Sequence, residues 1–138
     1  MKFISKLSFV LGFASFAPLC HASANSAFSQ CYEIAQGEFV NPSDAIKACA
    51  TAGDGFSTCM GLAKKAFLNK SEAITACGAA GAGFSDCFAL AKNEFVNQPD
   101  AIKACSQAQA GFSDCLQIAK GEFMYLSQAI KTCGGDNR

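Results

Sequence analysis

The chain has 138 residues with 9 Cys, 12 Gly, 13 Phe and no Trp, and its 11 basic side chains balance 11 acidic ones. That length admits one domain or one short repeat array. A formal net charge of +0 without a Lys/Arg run excludes the clustered cations that phosphate backbones require, so nucleic acid is not an expected partner.

Residues 1–24 read as a secretory signal. Lys2 and Lys6 make a short basic start, Leu7 to Leu19 an apolar stretch, and Ala22-Ser23-Ala24 a small-residue cleavage site. The mature chain then begins at Asn25. The apolar stretch is shorter than the roughly 20 residues a membrane-spanning helix needs, and no second long apolar run follows, so no transmembrane segment is expected. Cleavage removes Lys2, Lys6, Cys20 and His21, leaving 9 basic and 11 acidic residues, 8 Cys and no His. Without an imidazole there is no Ser-His or Cys-His dyad, and no enzyme activity or cofactor is expected. An even number of thiols in an exported chain points to a disulfide framework in an oxidising compartment, periplasmic or extracellular.

The cysteines of the mature chain fall in two series, 31, 59, 87, 115 and 49, 77, 105, 133, both stepping by 28. Their neighbours keep the step: Phe28, Phe56, Phe84 and Phe112, each followed by Ser; Ala35, Ala63, Ala91 and Ala119; Phe39, Phe67, Phe95 and Phe123; and Ala-Ile at 45-46, 73-74, 101-102 and 129-130. Four tandem copies of one supersecondary unit follow, at about 28–55, 56–83, 84–111 and 112–138.

In the first copy Cys31, Ala35 and Phe39 begin an apolar stripe, Asn41-Pro42-Ser43-Asp44 is a turn with a helix-start signature, and Gly53-Asp54-Gly55 closes the unit. Asn accepts from the first free amides, the acid three residues on suits the positive end of the helix dipole, and Pro is tolerated in the first turn. The second copy repeats this with Asn69-Lys70-Ser71-Glu72 and Gly81-Ala82-Gly83. In the third, Phe84, Cys87, Phe88, Ala91 and Phe95 form one stripe at a 3.6-residue period, Asn97-Gln98-Pro99-Asp100 starts a shorter helix, and Ala101, Ile102, Cys105 and Ala108 share its face. Gly111 ends it. The expected fold is therefore all-α, four αα-hairpins stacked as a short solenoid. The fourth copy departs most: Phe123-Met124-Tyr125-Leu126 stands where the others carry an Asn cap, and Met124, Tyr125 and Leu126 form a candidate partner surface.

Residues equidistant from a hairpin turn face each other, and Cys31 and Cys49 lie 10 and 8 residues from a turn near position 41. The same relation pairs Cys59 with Cys77, Cys87 with Cys105 and Cys115 with Cys133. A competing scheme joins adjacent units, Cys49 with Cys59 and so on, but strands Cys31 and Cys133. Satisfying all eight thiols favours one disulfide per hairpin. The other use of the thiols is a soft-metal site for copper or zinc, against which stands a shortest spacing of C-x9-C. Glu38, Glu94 and Glu122, with Ala66 at the same position of the second copy, read as a solvated face. Lys47, Lys103 and Lys131 suit the negative ends of the second helices.

The C-x9-C spacing at Cys49/Cys59, Cys77/Cys87 and Cys105/Cys115 resembles the twin-cysteine motif of coiled-coil-helix-coiled-coil-helix proteins. In architecture the chain resembles the cysteine-rich relatives of tetratricopeptide repeats, exported arrays with one bridge per hairpin, although its unit is shorter and has neither their Trp nor their Leu-Gly pair. That resemblance implies an interaction scaffold whose surface binds a protein or peptide, and it brings no catalytic residue. An exported interaction or structural module is the leading expectation; a thiol-based metal-binding protein and a secreted effector are the alternatives.

Overall fold

The computed structural model describes residues 23–135. The signal segment and its predicted cleavage site lie outside those residues, except that Ser23 and Ala24 begin the first helix. Among the described residues there are eight helices and no strand: α1 Ser23–Ala35, α2 Pro42–Cys49, α3 Phe56–Lys65, α4 Lys70–Cys77, α5 Phe84–Glu94, α6 Gln98–Ala104, α7 Phe112–Gly121 and α8 Leu126–Gly134. They form four antiparallel hairpins, with the second helix of each pair the shorter, as the pattern of caps and stripes requires.

Each hairpin is closed by one disulfide. Cys31–Cys49, Cys59–Cys77, Cys87–Cys105 and Cys115–Cys133 bring the paired Cα atoms to 5.6, 5.5, 5.7 and 5.7 Å. That is close for two packed helices, so only small side chains fit beside the bridge. Ala35, Ala63, Ala91 and Ala119 on the first helices and Ala45, Ala73, Ala101 and Ala129 on the second are accordingly buried at this seam. Larger side chains fill the space between hairpins, where Phe56, Phe84, Ile74, Ile102 and Ile130 are the largest fully buried groups apart from the cysteines.

The first helix of each hairpin packs on the second helix of the next, α1 on α4, α3 on α6 and α5 on α8, and among the described residues no helix contact skips a hairpin. Stability is then a sum of hairpin terms and neighbour terms, as in other linear arrays. Hydrogen bonds cross the seams at the glycine turns: Gly55 N–H donates to the Ala80 carbonyl at 3.1 Å, Gly81 N–H to that of Ala108 at 3.2 Å, and Gln107 N–H to that of Gly134 at 2.8 Å. One repeat position shows how close the backbones come. A methyl group on Gly78 would collide with the Ala48 carbonyl oxygen. With glycine there, the α4 ladder extends by an i→i−4 bond from Gly78 to Ile74; where Ala50 and Ser106 occupy the same place, the last turn tightens to i→i−3 bonds with Lys47 and Lys103.

The turns between first and second helices come in two forms, which the 28-residue periodicity does not reveal. In hairpins one and three Phe39 and Phe95 fold inward against the core, while Val40 and Val96 point to solvent. Lys131 of the next hairpin stacks over the Phe95 ring at 5.7 Å. In hairpins two and four the first helix ends in a left-handed residue, Phe67 and Phe123 both at φ 60°. Here Leu68 N–H reaches back to the Ala63 carbonyl at 3.1 Å and Met124 N–H to that of Ala119 at 3.2 Å, the Schellman closure. Leu68 and Met124 then take the inward place and the two Phe side chains are expelled. Phe39, Phe67, Phe95 and Phe123 thus share one repeat position but not one environment, and only Phe39 and Phe95 belong to the inward stripe. Leu and Met, unbranched at Cβ, reach the inward slot, whereas Val is stiff, short and suited to extended backbone.

A left-handed conformation costs an L-residue roughly 1–2 kcal/mol, and the exposed Phe67 ring recovers none of it by burial. Phe67→Gly is expected to raise stability by about 0.5–1 kcal/mol in thermal unfolding, the larger backbone entropy of glycine offsetting part of the relief. Phe39→Gly, which removes an inward ring from a turn without positive φ, is expected to do the opposite.

Candidate interaction surfaces

The cap residues set the geometry of the turn edge. Asn69 Oδ1 accepts from the Glu72 amide at 2.9 Å and Asn97 Oδ1 from the Asp100 amide at 2.9 Å, which anchors α4 and α6 as the sequence predicts. Asn41 departs from that expectation: its side-chain amide donates instead to the Asp44 carboxylate at 3.3 Å, and it does not cap α2. At α8 the cap position is Tyr125, which has extended backbone and no side-chain cap bond among the described residues. Its ring is released from any capping duty and projects outward.

Along this edge each hairpin presents one large apolar side chain to solvent: Val40, Phe67, Val96 and Phe123, joined by Tyr125. Tyr125 is 82% exposed and the other four are at least 95% exposed. The predicted patch at 124–126 is thus corrected in part. Tyr125 is on the surface, but Met124 and Leu126 turn inward and pack against the core, and the neighbour that completes the exposed pair is Phe123. Phe67 and Phe123 were invisible as surface residues in the sequence because the repeat aligns them with two inward-facing rings. The available signal was the residue after each, Leu or Met in place of Val.

A concave feature lies between α1, α3 and the start of α4, a groove of about 660 Å³. Its floor is Ile34, Phe56, Met60 and Leu68. Its rim is polar: Ser57 Oγ donates to Gln30 Oε1 at 2.8 Å, and Lys70 Nζ meets the Glu38 carboxylate at 3.1 Å. The ion pair is half in water, so its contribution is small, ~0–1 kcal/mol. It does tie the first turn edge to the second. Glu94 and Glu122, at the Glu38 position of later hairpins, are exposed, in keeping with a solvated face.

All eight cysteines of the described chain are bonded in pairs, so in this oxidised form none offers a thiolate to a soft metal. Six of the sulfur-bearing residues are fully buried; Cys115 and Cys133, in the last hairpin, are half-buried. Among the described residues no helix is long and apolar enough to cross a membrane. Compared with protein-family models, with curated proteins and with solved structures, the chain matches none.

Proposed function

We propose that this protein is an exported interaction module that docks a protein or peptide partner along its turn edge. The observation that carries this reading is the row of Val40, Phe67, Val96 and Phe123, apolar groups nearly fully in water and spaced one hairpin apart, with Tyr125 exposed beside Phe123. Such groups bury nothing on folding at that level of exposure, and of the five Tyr125 is of a residue type enriched among the residues that dominate the energetics of protein interfaces. Two of the rings are held outward by left-handed backbone. The disulfides suit an oxidising compartment and hold short helices in place, so that the edge is presented by a rigid frame. The resemblance to cysteine-rich tetratricopeptide relatives points the same way, and the signal segment supplies the route of export.

Photo-crosslinking tests the proposal. A photoreactive side chain at position 67 or 123, in protein expressed with its signal in its own host, is expected to give an adduct of discrete mass. The same group at Ser85, exposed at the opposite end of a first helix, is expected to give none. Equal labelling from both ends, or none from the edge, removes the turn edge as the docking surface.

A further inference from the structure

We infer that the two ends of the array are complementary halves of its own repeat–repeat interface, and that copies of this chain associate head to tail. In each of the three internal seams, four positions of a hairpin face the hairpin before it. They are held by Phe56, Met60, Ile74 and Gly78 in the second hairpin, by Phe84, Phe88, Ile102 and Ser106 in the third, and by Phe112, Leu116, Ile130 and Gly134 in the fourth, and all twelve are buried.

The first hairpin carries Phe28, Tyr32, Ile46 and Ala50 at these positions, keeping the apolar character, yet none is buried. Ile46 is 47% exposed where Ile74, Ile102 and Ile130 are fully buried. Terminal units of linear arrays normally replace such residues by polar ones. This one does not.

The opposite end shows the matching half. At the repeat position of Ile34 a side chain faces the following hairpin: Ile34 lines the groove against Phe56 and Met60, Leu62 packs against the core, and Leu90 is 36% exposed. The last counterpart, Ile118, is 68% exposed. Beside it the Cys115–Cys133 bridge is half-buried while the three earlier bridges are fully covered. What would cover Ile118 and that bridge in a longer array is a next hairpin's Phe, aromatic or aliphatic, and Ile; the first hairpin of a second copy offers those groups as Phe28, Tyr32 and Ile46. Because the two faces differ, the contact is heterologous and leaves a free end on each copy, which gives open chains rather than a closed dimer. It uses the ends of the array and not the turn edge, so its failure leaves the partner-docking reading untouched.

The test is complementation between two blocked variants of the oxidised, exported chain. Ile46→Lys closes the leading face and Ile118→Lys the trailing face; both side chains are exposed in the single chain, and intact mass with circular dichroism verifies four bridges and native helicity. By sedimentation up to ~1 mM, the unaltered protein is expected to grow beyond dimer with concentration, and each variant alone to stay monomeric. An equimolar mixture is expected to stop at a 1:1 dimer, because Ile118→Lys keeps its leading face and Ile46→Lys its trailing one. Ala50→Arg in place of Ile46→Lys is expected to behave identically. A monomeric unaltered protein overturns the inference, as does a mixture without heterodimer. Self-dimerisation of Ile118→Lys overturns it in favour of a two-fold contact between leading faces.

Discussion

Gly83→Ala is expected to destabilise the protein by about 2 kcal/mol in denaturant unfolding, while Gly111→Ala, the same position one hairpin later, stays within about 0.5 kcal/mol of the parent. Both glycines precede a first helix with ordinary right-handed backbone, φ −80° and −83°, so alanine fits the conformation at each. Taken alone, that would make either substitution stabilising by ~0.4–1 kcal/mol through the unfolded state. The difference lies in what a methyl group meets. At Gly83 it runs into the Gln109 carbonyl oxygen and crowds the Phe112 Cβ, backbone and core of the following hairpin; at Gly111 no described atom lies within 4 Å. Backbone cannot step aside as a flexible side chain does, so the seam between the third and fourth hairpins has to open. Equal effects at the two positions would mean that the hairpins do not stack as closely as the structure has them.

The second large effect concerns the bridges. Replacing Cys87 and Cys105 together by alanine is expected to cost about 3 kcal/mol or more, since each bridge spans a sequence separation of 18 and a loop of that order contributes roughly 3 kcal/mol on the chain-entropy model. Replacing Cys115 and Cys133 removes a loop of the same length but sulfurs that are only half-buried, so the loss is expected to be smaller by about 1 kcal/mol, the packing share. Chemical denaturation of the two double variants side by side measures the difference. Helices of seven to thirteen residues are marginal in water without such support. If the Cys87/Cys105 variant unfolded no earlier than the parent, alanine and phenylalanine packing alone would be holding the array.

Much of this was readable from residue spacing. An all-α array, the 28-residue unit, the helix starts at Asn69 and Asn97, and the face shared by Ala101, Ile102, Cys105 and Ala108 all follow from local rules. The intra-hairpin bridges follow from the requirement that every thiol find a partner equidistant from a turn, and the structure joins those pairs. These features depend only on helical period and hairpin symmetry, which the chain carries in its own order of residues.

Other features were decided by packing in three dimensions. Phe67 and Phe95 occupy the same place in the repeat, yet one is expelled and the other turned inward, because a single inward slot is contested by two adjacent side chains and the turn backbone settles which enters. Met124 reads as surface and lies against the core for the same reason, and Leu126, at the start of α8, packs against the core as well. The glycines at 55 and 83 read as punctuation, whereas their missing Cβ atoms, like that of Gly78, make room for the carbonyl groups of a neighbouring hairpin. Ile46 is identical in sequence to three buried isoleucines and is exposed only because of where its hairpin stands in the stack. Periodicity specifies which face of a helix is apolar; what that face meets depends on neighbours tens of residues away, and that is set by the tertiary structure.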